Sequence, residues 1–207
     1  MSHPAFISLD GLDGTGKSTQ CGLLADWLRT GGHAVTACID PGGTPLGAQL
    51  RSLVLNYRSE IDRMGEALLF MASRAQLLAE VIRPALAAGH LVISDRFLLA
   101  NIVYQGHAGG LDVERLWEVG RFAAGGLEPD LTIVLDLSPE QAARRRDRPA
   151  DRIEGRDADY HARLRQGFLT EARLRPDRIR VVDASAPLGL VQEAIRREVS
   201  SFVGIKI

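Results

Sequence analysis

The run Gly11-Leu12-Asp13-Gly14-Thr15-Gly16-Lys17-Ser18 meets the pattern G-x-x-x-x-G-K-[ST] at every fixed position. Such a run cradles phosphate. Its glycines let the backbone curl so that successive N–H groups face one anion, and the N-terminus of a following helix adds partial positive charge. In this reading Gly11, Gly14, Thr15, Gly16, Lys17, Ser18 and Thr19 hold ATP, Lys17 reaches the β- and γ-phosphates and Ser18 holds Mg²⁺. A glycine-rich turn matching by accident is the alternative, and lysine usage argues against it. Lys17 and Lys206 are the only lysines in a chain that otherwise writes arginine. Lysine here suits a site that takes a compact ammonium rather than a planar fork.

Two further groups could do chemistry. Asp95 follows an apolar, β-branched run, which puts its carboxylate at the carboxyl edge of a sheet, where an acid organising Mg²⁺ belongs. Capping of the next turn is the competing reading. Arg96 beside it could clamp a phosphate bidentately or sit in a surface ion pair. Phe70 and Arg74 stand four apart in a helical pattern and so share one face, able to form a pocket wall or to be a core ring beside a solvated cation.

These residues need a sheet to position them. Ala5–Leu9, Ala34–Ile39, Leu91–Ser94, Leu131–Asp136 and Ile179–Asp183 read as short buried strands alternating with helices. That order predicts an α/β fold, a five-stranded parallel sheet flanked by helices on both faces in the three-layer P-loop NTPase manner. Helices are predicted over Thr19–Arg29, Leu46–Asn56, Glu60–Ala88 with a kink near Pro84, Leu98–Tyr104, Val113–Ala124 and Leu188–Phe202. Another opens at Ser138-Pro139-Glu140, with a capping hydroxyl, proline in the first turn and an acid beside it. Arg144 to Arg165 is dense in arginine and poor in apolar residues.

The chain has 207 residues and a net charge of −1, so one domain is expected and no global field draws it to nucleic acid or to an anionic membrane. No targeting or membrane-spanning run is visible, which predicts a cytoplasmic protein. Cys21 and Cys38 lack metal or redox spacing and read as core residues.

Taken together, the motifs resemble those of the thymidylate kinase family. The matches are the phosphate loop, Asp40-Pro41-Gly42-Gly43-Thr44, Leu50-Arg51-Ser52-Leu53, Phe70 with Arg74 and Asp95-Arg96-Phe97. They continue through Tyr104-Gln105-Gly106, Pro129-Asp130-Leu131-Thr132, Asp151-Arg152-Ile153-Glu154 and Asp183-Ala184-Ser185. The resemblance implies phosphoryl transfer from ATP to thymidine monophosphate, with Mg²⁺ on Ser18 and Asp95. It implies that Phe70 stacks on thymine, Arg74 bonds a base carbonyl, Asn101 and Gln105 lie near the base and Tyr104 closes over the sugar. Asp13 would meet the 3′-hydroxyl, and Arg51 and Arg96 would hold the acceptor phosphate. It also favours a homodimer, with the helices around Phe70 and Trp117 serving as core or interface.

Lys17, Asp13, Arg96 and Arg152 are the expected catalytic residues. Thr15 is uncharged where some relatives carry a basic residue in the loop, so the cation of transfer is expected from a mobile arginine-rich lid at about 144–160. Arg152 is the candidate there and Arg148 its competitor. Departures stand at Asp40 for glutamate, Ile39 for arginine, Phe97 for tyrosine or histidine and Ala100 for serine. They bear on the acceptor contacts and admit a shifted substrate preference. Three other readings share the phosphate loop: a kinase for another nucleotide or a deoxynucleoside, a nucleotide-dependent switch, and a non-catalytic relative. The first differs only around Phe70, Arg74 and Asn101, and a switch has no use for Arg51, Asp95-Arg96 and an arginine lid together.

Overall fold

A computed structural model describes residues 4–145, 152, 153 and 155–204. Five strands, β1 (Phe6–Gly11), β2 (Val35–Ile39), β3 (Leu91–Asp95), β4 (Leu131–Asp136) and β5 (Ile179–Asp183), form one sheet in the order β2-β3-β1-β4-β5. Every pairing is parallel. β1, β3 and β4 sit inside the order and their apolar residues are buried, whereas the edge strands β2 and β5 are partly exposed. The continuous apolar runs of the sequence reflect this two-sided burial.

The helices are α1 (Lys17–Thr30), α2 (Pro45–Asn56), α3 (Arg63–Leu77), α4 (Arg83–Ala87), α5 (Leu98–Asn101), α6 (Val113–Ala123), α7 (Pro139–Arg144), α8 (Ala158–Leu174) and α9 (Leu188–Val203). One face of the sheet is covered by α1 and α9, which also pack on each other; the other is covered by α4, α5 and α8, with α3 and α6 packed outside them. Among the described residues no helix is long and apolar enough to cross a membrane. Cys21 is buried, Cys38 is half-buried and both are free thiols.

Two parts of the helical reading change. The run to Ala88 is not one regular α-helix: it widens into a π turn over Leu78–Ile82, just before Pro84, where the N–H of Arg83 bonds the Leu78 carbonyl. Pro84 brings no N–H to the ladder, so the hydrogen-bond pattern is already disturbed at that point. A second π turn, Ile102–His107, follows α5. The arginine-dense stretch contains the start of α8, capped by Asp157, whose carboxylate accepts from the Tyr160 N–H at 2.7 Å. Tyr160, Leu164, Phe168 and Ala172 form its buried stripe. Ser138 caps α7 as expected, accepting from the N–H of Gln141 at 3.3 Å.

Candidate functional site

β1 hands the chain directly to the phosphate loop. Gly11, Gly14 and Gly16 have φ of 135°, 90° and 91°, a region that side chains with a Cβ rarely enter. At Gly11 a Cβ would also lie 2.6 Å from the Leu135 carbonyl oxygen of β4. The loop is braced from within, because Thr15 Oγ1 donates to the Leu12 carbonyl at 2.9 Å and Lys17 Nζ donates to the same oxygen at 2.7 Å. Burial and the nearby Arg96 pull the Lys17 ammonium down to about 8.

The pairing of β1 with β3 sets Asp95 opposite Leu9, at the edge from which the loop springs. There Ser18 Oγ donates to Asp95 Oδ2. The next residue, Arg96, is the only described non-glycine residue with positive φ, at 69°, a backbone strain that such a turn must hold in place. Its guanidinium donates to the Gly11 carbonyl at 3.0 Å, to the Tyr104 hydroxyl at 3.1 Å and to Asp13 Oδ1. Tyr104 in turn donates to Asp13 Oδ2 at 2.8 Å. Burial alone would raise the Asp13 carboxyl, yet Arg96, Lys17 and the Tyr104 hydroxyl hold it well below the usual carboxylate range. Asp10, which the sequence reading passed over, is fully buried one residue before the loop. Burial pushes its carboxyl up to about 7, against Arg96 and Lys17.

All the residues expected to hold an acceptor nucleotide, Asp13, Arg51, Phe70, Arg74, Arg96, Asn101, Tyr104 and Gln105, line one cleft, together with Leu55, Ala100 and Ile153. Arg74 is buried, and Asp40 Oδ2 accepts from its Nε at 2.6 Å. Its NH1 donates to Asn101 Oδ1 at 3.1 Å, and its guanidinium lies 5.3 Å from the centroid of the Phe97 ring. Phe97 itself is fully buried, edge-on to Phe6. Phenylalanine at this position therefore belongs to the core and supports Arg74 without lining the cleft. Ile39 is likewise not in the cleft wall, and Arg51 stands nearby with its NH1 on the Pro41 carbonyl at 2.9 Å.

Arg152 is tied down by two contacts at the rim of this cleft. Its Nε donates to the Val54 carbonyl at 3.0 Å and its NH2 to Glu66 Oε2. Arg148 lies outside the described residues, as do Asp151 and Glu154. Glu66 was missed in the sequence, although its spacing of four from Phe70 and eight from Arg74 puts all three on one face of α3. A second cavity was also missed in part. It joins Gly14, Thr15, Gly16 and Thr19 of the loop to Arg145 and Ser185, and Arg145 NH1 donates to the Ala184 carbonyl at 2.8 Å. No group of three or more metal-ligating side chains occurs among the described residues, so Ser18 and Asp95 would supply only part of a coordination shell.

The family model described as thymidylate kinase matches residues 9–195. A thymidylate kinase of Rhodopirellula baltica is 47% identical over 198 residues, 94% of this chain and 81% of that protein. One of Deinococcus radiodurans is 47% identical over 190 residues, 90% of this chain and 92% of that one. Among solved structures, a thymidylate kinase from Ehrlichia chaffeensis superposes with a TM-score of 0.80 at 28% identity, covering 95% of this chain and 98% of that one.

Proposed function

The chain belongs to the thymidylate kinase family, and we infer from the site it carries how it moves a phosphoryl group from ATP to thymidine monophosphate. One observation carries the reading. The phosphate loop and the nucleobase cleft meet at Asp13 and Arg96, so a donor held by the loop and an acceptor held by the cleft bring their phosphates to the same place. The acceptor oxygen is already ionised at neutral pH, and no general base is needed. The task is to align two polyanions and neutralise their charge.

Lys17 supplies a point charge to the β- and γ-phosphates, for which it must leave the Leu12 carbonyl. Arg96 and Arg51 take the acceptor phosphate. Asp13, anionic throughout the neutral range, accepts from the sugar hydroxyl and orients Arg96 in the same act. Phe70 stacks on the base, while Arg74 donates to a base carbonyl from a guanidinium already fixed by Asp40. Fixed donors of this kind cost little reorganisation during transfer.

Mg²⁺ fits beside the loop, since Ser18 Oγ and Asp95 Oδ2 already meet there as hard oxygen donors and phosphate and water would complete the shell. When bound, the ion draws negative charge from the transferring phosphate oxygens. The cavity at Arg145 and Ser185 would house the nucleoside of ATP. Both substrates belong to the cytoplasmic nucleotide pool, where we place the enzyme.

A homodimer completes the reading. Phe70 lines the cleft and Trp117 is buried, but Met64 and Leu68 of α3 and Val119 and Phe122 of α6 are exposed, Phe122 at 87%. Apolar side chains presented by two helices packed together suit an interface.

Steady-state turnover with ATP and a panel of monophosphates tests the assignment. Thymidine monophosphate is expected to be the best substrate. Efficient phosphorylation of guanosine or adenosine monophosphate under the same conditions would reassign the cleft.

A further inference from the structure

Glu66 touches neither expected substrate pocket as a ligand contact, yet its side chain is fully buried. A buried carboxylate requires cationic or hydrogen-bonding partners. It has both. Arg152 NH2 donates to Oε2, and Arg156 NH2 donates to the same oxygen at 3.2 Å. From the cleft side Gln105 Nε2 donates to Oε1 at 2.8 Å.

Gln105 ends a relay. Its Oε1 accepts from Asn101 Nδ2 at 2.7 Å, and Asn101 Oδ1 accepts from Arg74 NH1. Arg74 can only donate and ionised Glu66 can only accept, so the two charged ends agree on one orientation for both amides. Between Arg152 and Arg156, Ile153 is buried and forms part of the cleft wall. Arg152 is tied on both sides of this wall, to Val54 of α2 and to Glu66 of α3.

We propose that Glu66 and Arg152 are a positioning pair for the nucleobase cleft, seating Ile153 in its wall and anchoring the amide relay that faces the base. Arg152 on this proposal is a positioning residue and not the cation of transfer. The proposal rests on the reading of the cleft as the thymidine monophosphate site, which turnover of the unaltered enzyme tests separately.

The two roles of Arg152 differ in which kinetic constant moves. A cation acting only in the transition state lowers kcat, whereas a wall and relay that shape the acceptor site raise KM for the acceptor. Glu66→Gln keeps the shape and removes the charge, and Arg152→Gln removes the other half of the pair at a partly exposed side chain. Each is expected to raise KM for thymidine monophosphate by about tenfold or more while kcat and KM for ATP stay within about threefold. The double variant is expected to be less impaired than the product of the two single effects, because both changes break the Arg152–Glu66 contact. Thermal unfolding of each variant, recorded alongside, separates loss of the contact from loss of the fold. If Glu66→Gln does not fold, the Arg152→Gln constants decide alone. A fall in kcat that exceeds the rise in KM for the acceptor, an unchanged KM, or effects that multiply in the double variant would overturn the proposal.

Discussion

Lys17 has no solvent to lean on. It is 6% exposed and bonded to its own loop, so its neighbours rather than water set its proton affinity. Lys17→Ala is expected to remove transfer, since one such contact contributes about 3–4 kcal/mol to the transition state. Lys17→Arg is expected to fail as well, because a guanidinium is too wide for the space that ends at the Leu12 carbonyl; near-normal turnover would contradict the loop geometry. Burial and Arg96 depress the ammonium to about 8, so raising pH through 8 removes its proton and kcat/KM for ATP is expected to fall above that point. A pH profile with no break near 8 would show that Lys17 does not govern it. Asp10 gives a separate lever, on stability. Its carboxyl lies at about 7 against an ordinary 3.8, so the native state holds a proton that the unfolded chain has released. That contribution is full below about 4 and is lost as pH rises through about 7. Asp10→Asn is expected to flatten the decline between about pH 4 and 7 in urea unfolding, by roughly 2–4 kcal/mol.

At the level of elements, the π turn over Ile102–His107 is the part that a plain helical reading could not supply. It carries Tyr104 to Asp13 and Arg96 and Gln105 to Glu66 from adjacent positions. α8 supports it: Tyr160 OH donates to the Tyr104 carbonyl at 3.0 Å, and Gly167 lies where a Cβ would come within 2.7 Å of His107 Cβ. Gly167→Ala would push α8 off the turn and is expected to lower stability by about 1–3 kcal/mol, read as a fall in the thermal midpoint. The same substitution is expected to weaken thymidine monophosphate more than ATP, because the turn serves the cleft. α8 itself was legible in principle. Asp157 is a capping residue, and Tyr160, Leu164 and Phe168 repeat every four residues, but the arginines between them masked the period.

On the scale of the whole molecule, the cleft has one set of walls and the surface proposed for a dimer another, although both use α3. Phe70 and Arg74 face inward; Met64 and Leu68 face out, alongside Val119 and Phe122 of α6. A charge in this patch has to be desolvated if two copies meet there. Phe122→Glu is expected to halve the mass measured by light scattering while leaving the monomer folded. A protein that keeps its mass after this substitution, or that is monomeric without it, would remove the interface from this face.

What the sequence alone determined is local. The phosphate loop, its helix and the strand before it lie within some two dozen consecutive residues, and the chemistry of such a loop depends on neighbours along the chain. Strand number and their parallel arrangement followed from apolar runs alternating with helices, because two-sided burial writes itself into composition. Tertiary structure decided the partners. Asp13 meets Arg96 and Tyr104 across 83 and 91 residues, Arg74 meets Asp40 across 34, and Glu66 meets Arg152 across 86. A carboxylate and a guanidinium carry no mark of which opposite charge they will face, so the sequence could name Arg152 as a cation without saying where its charge would go. Folding placed it on Glu66, where a buried carboxylate required it.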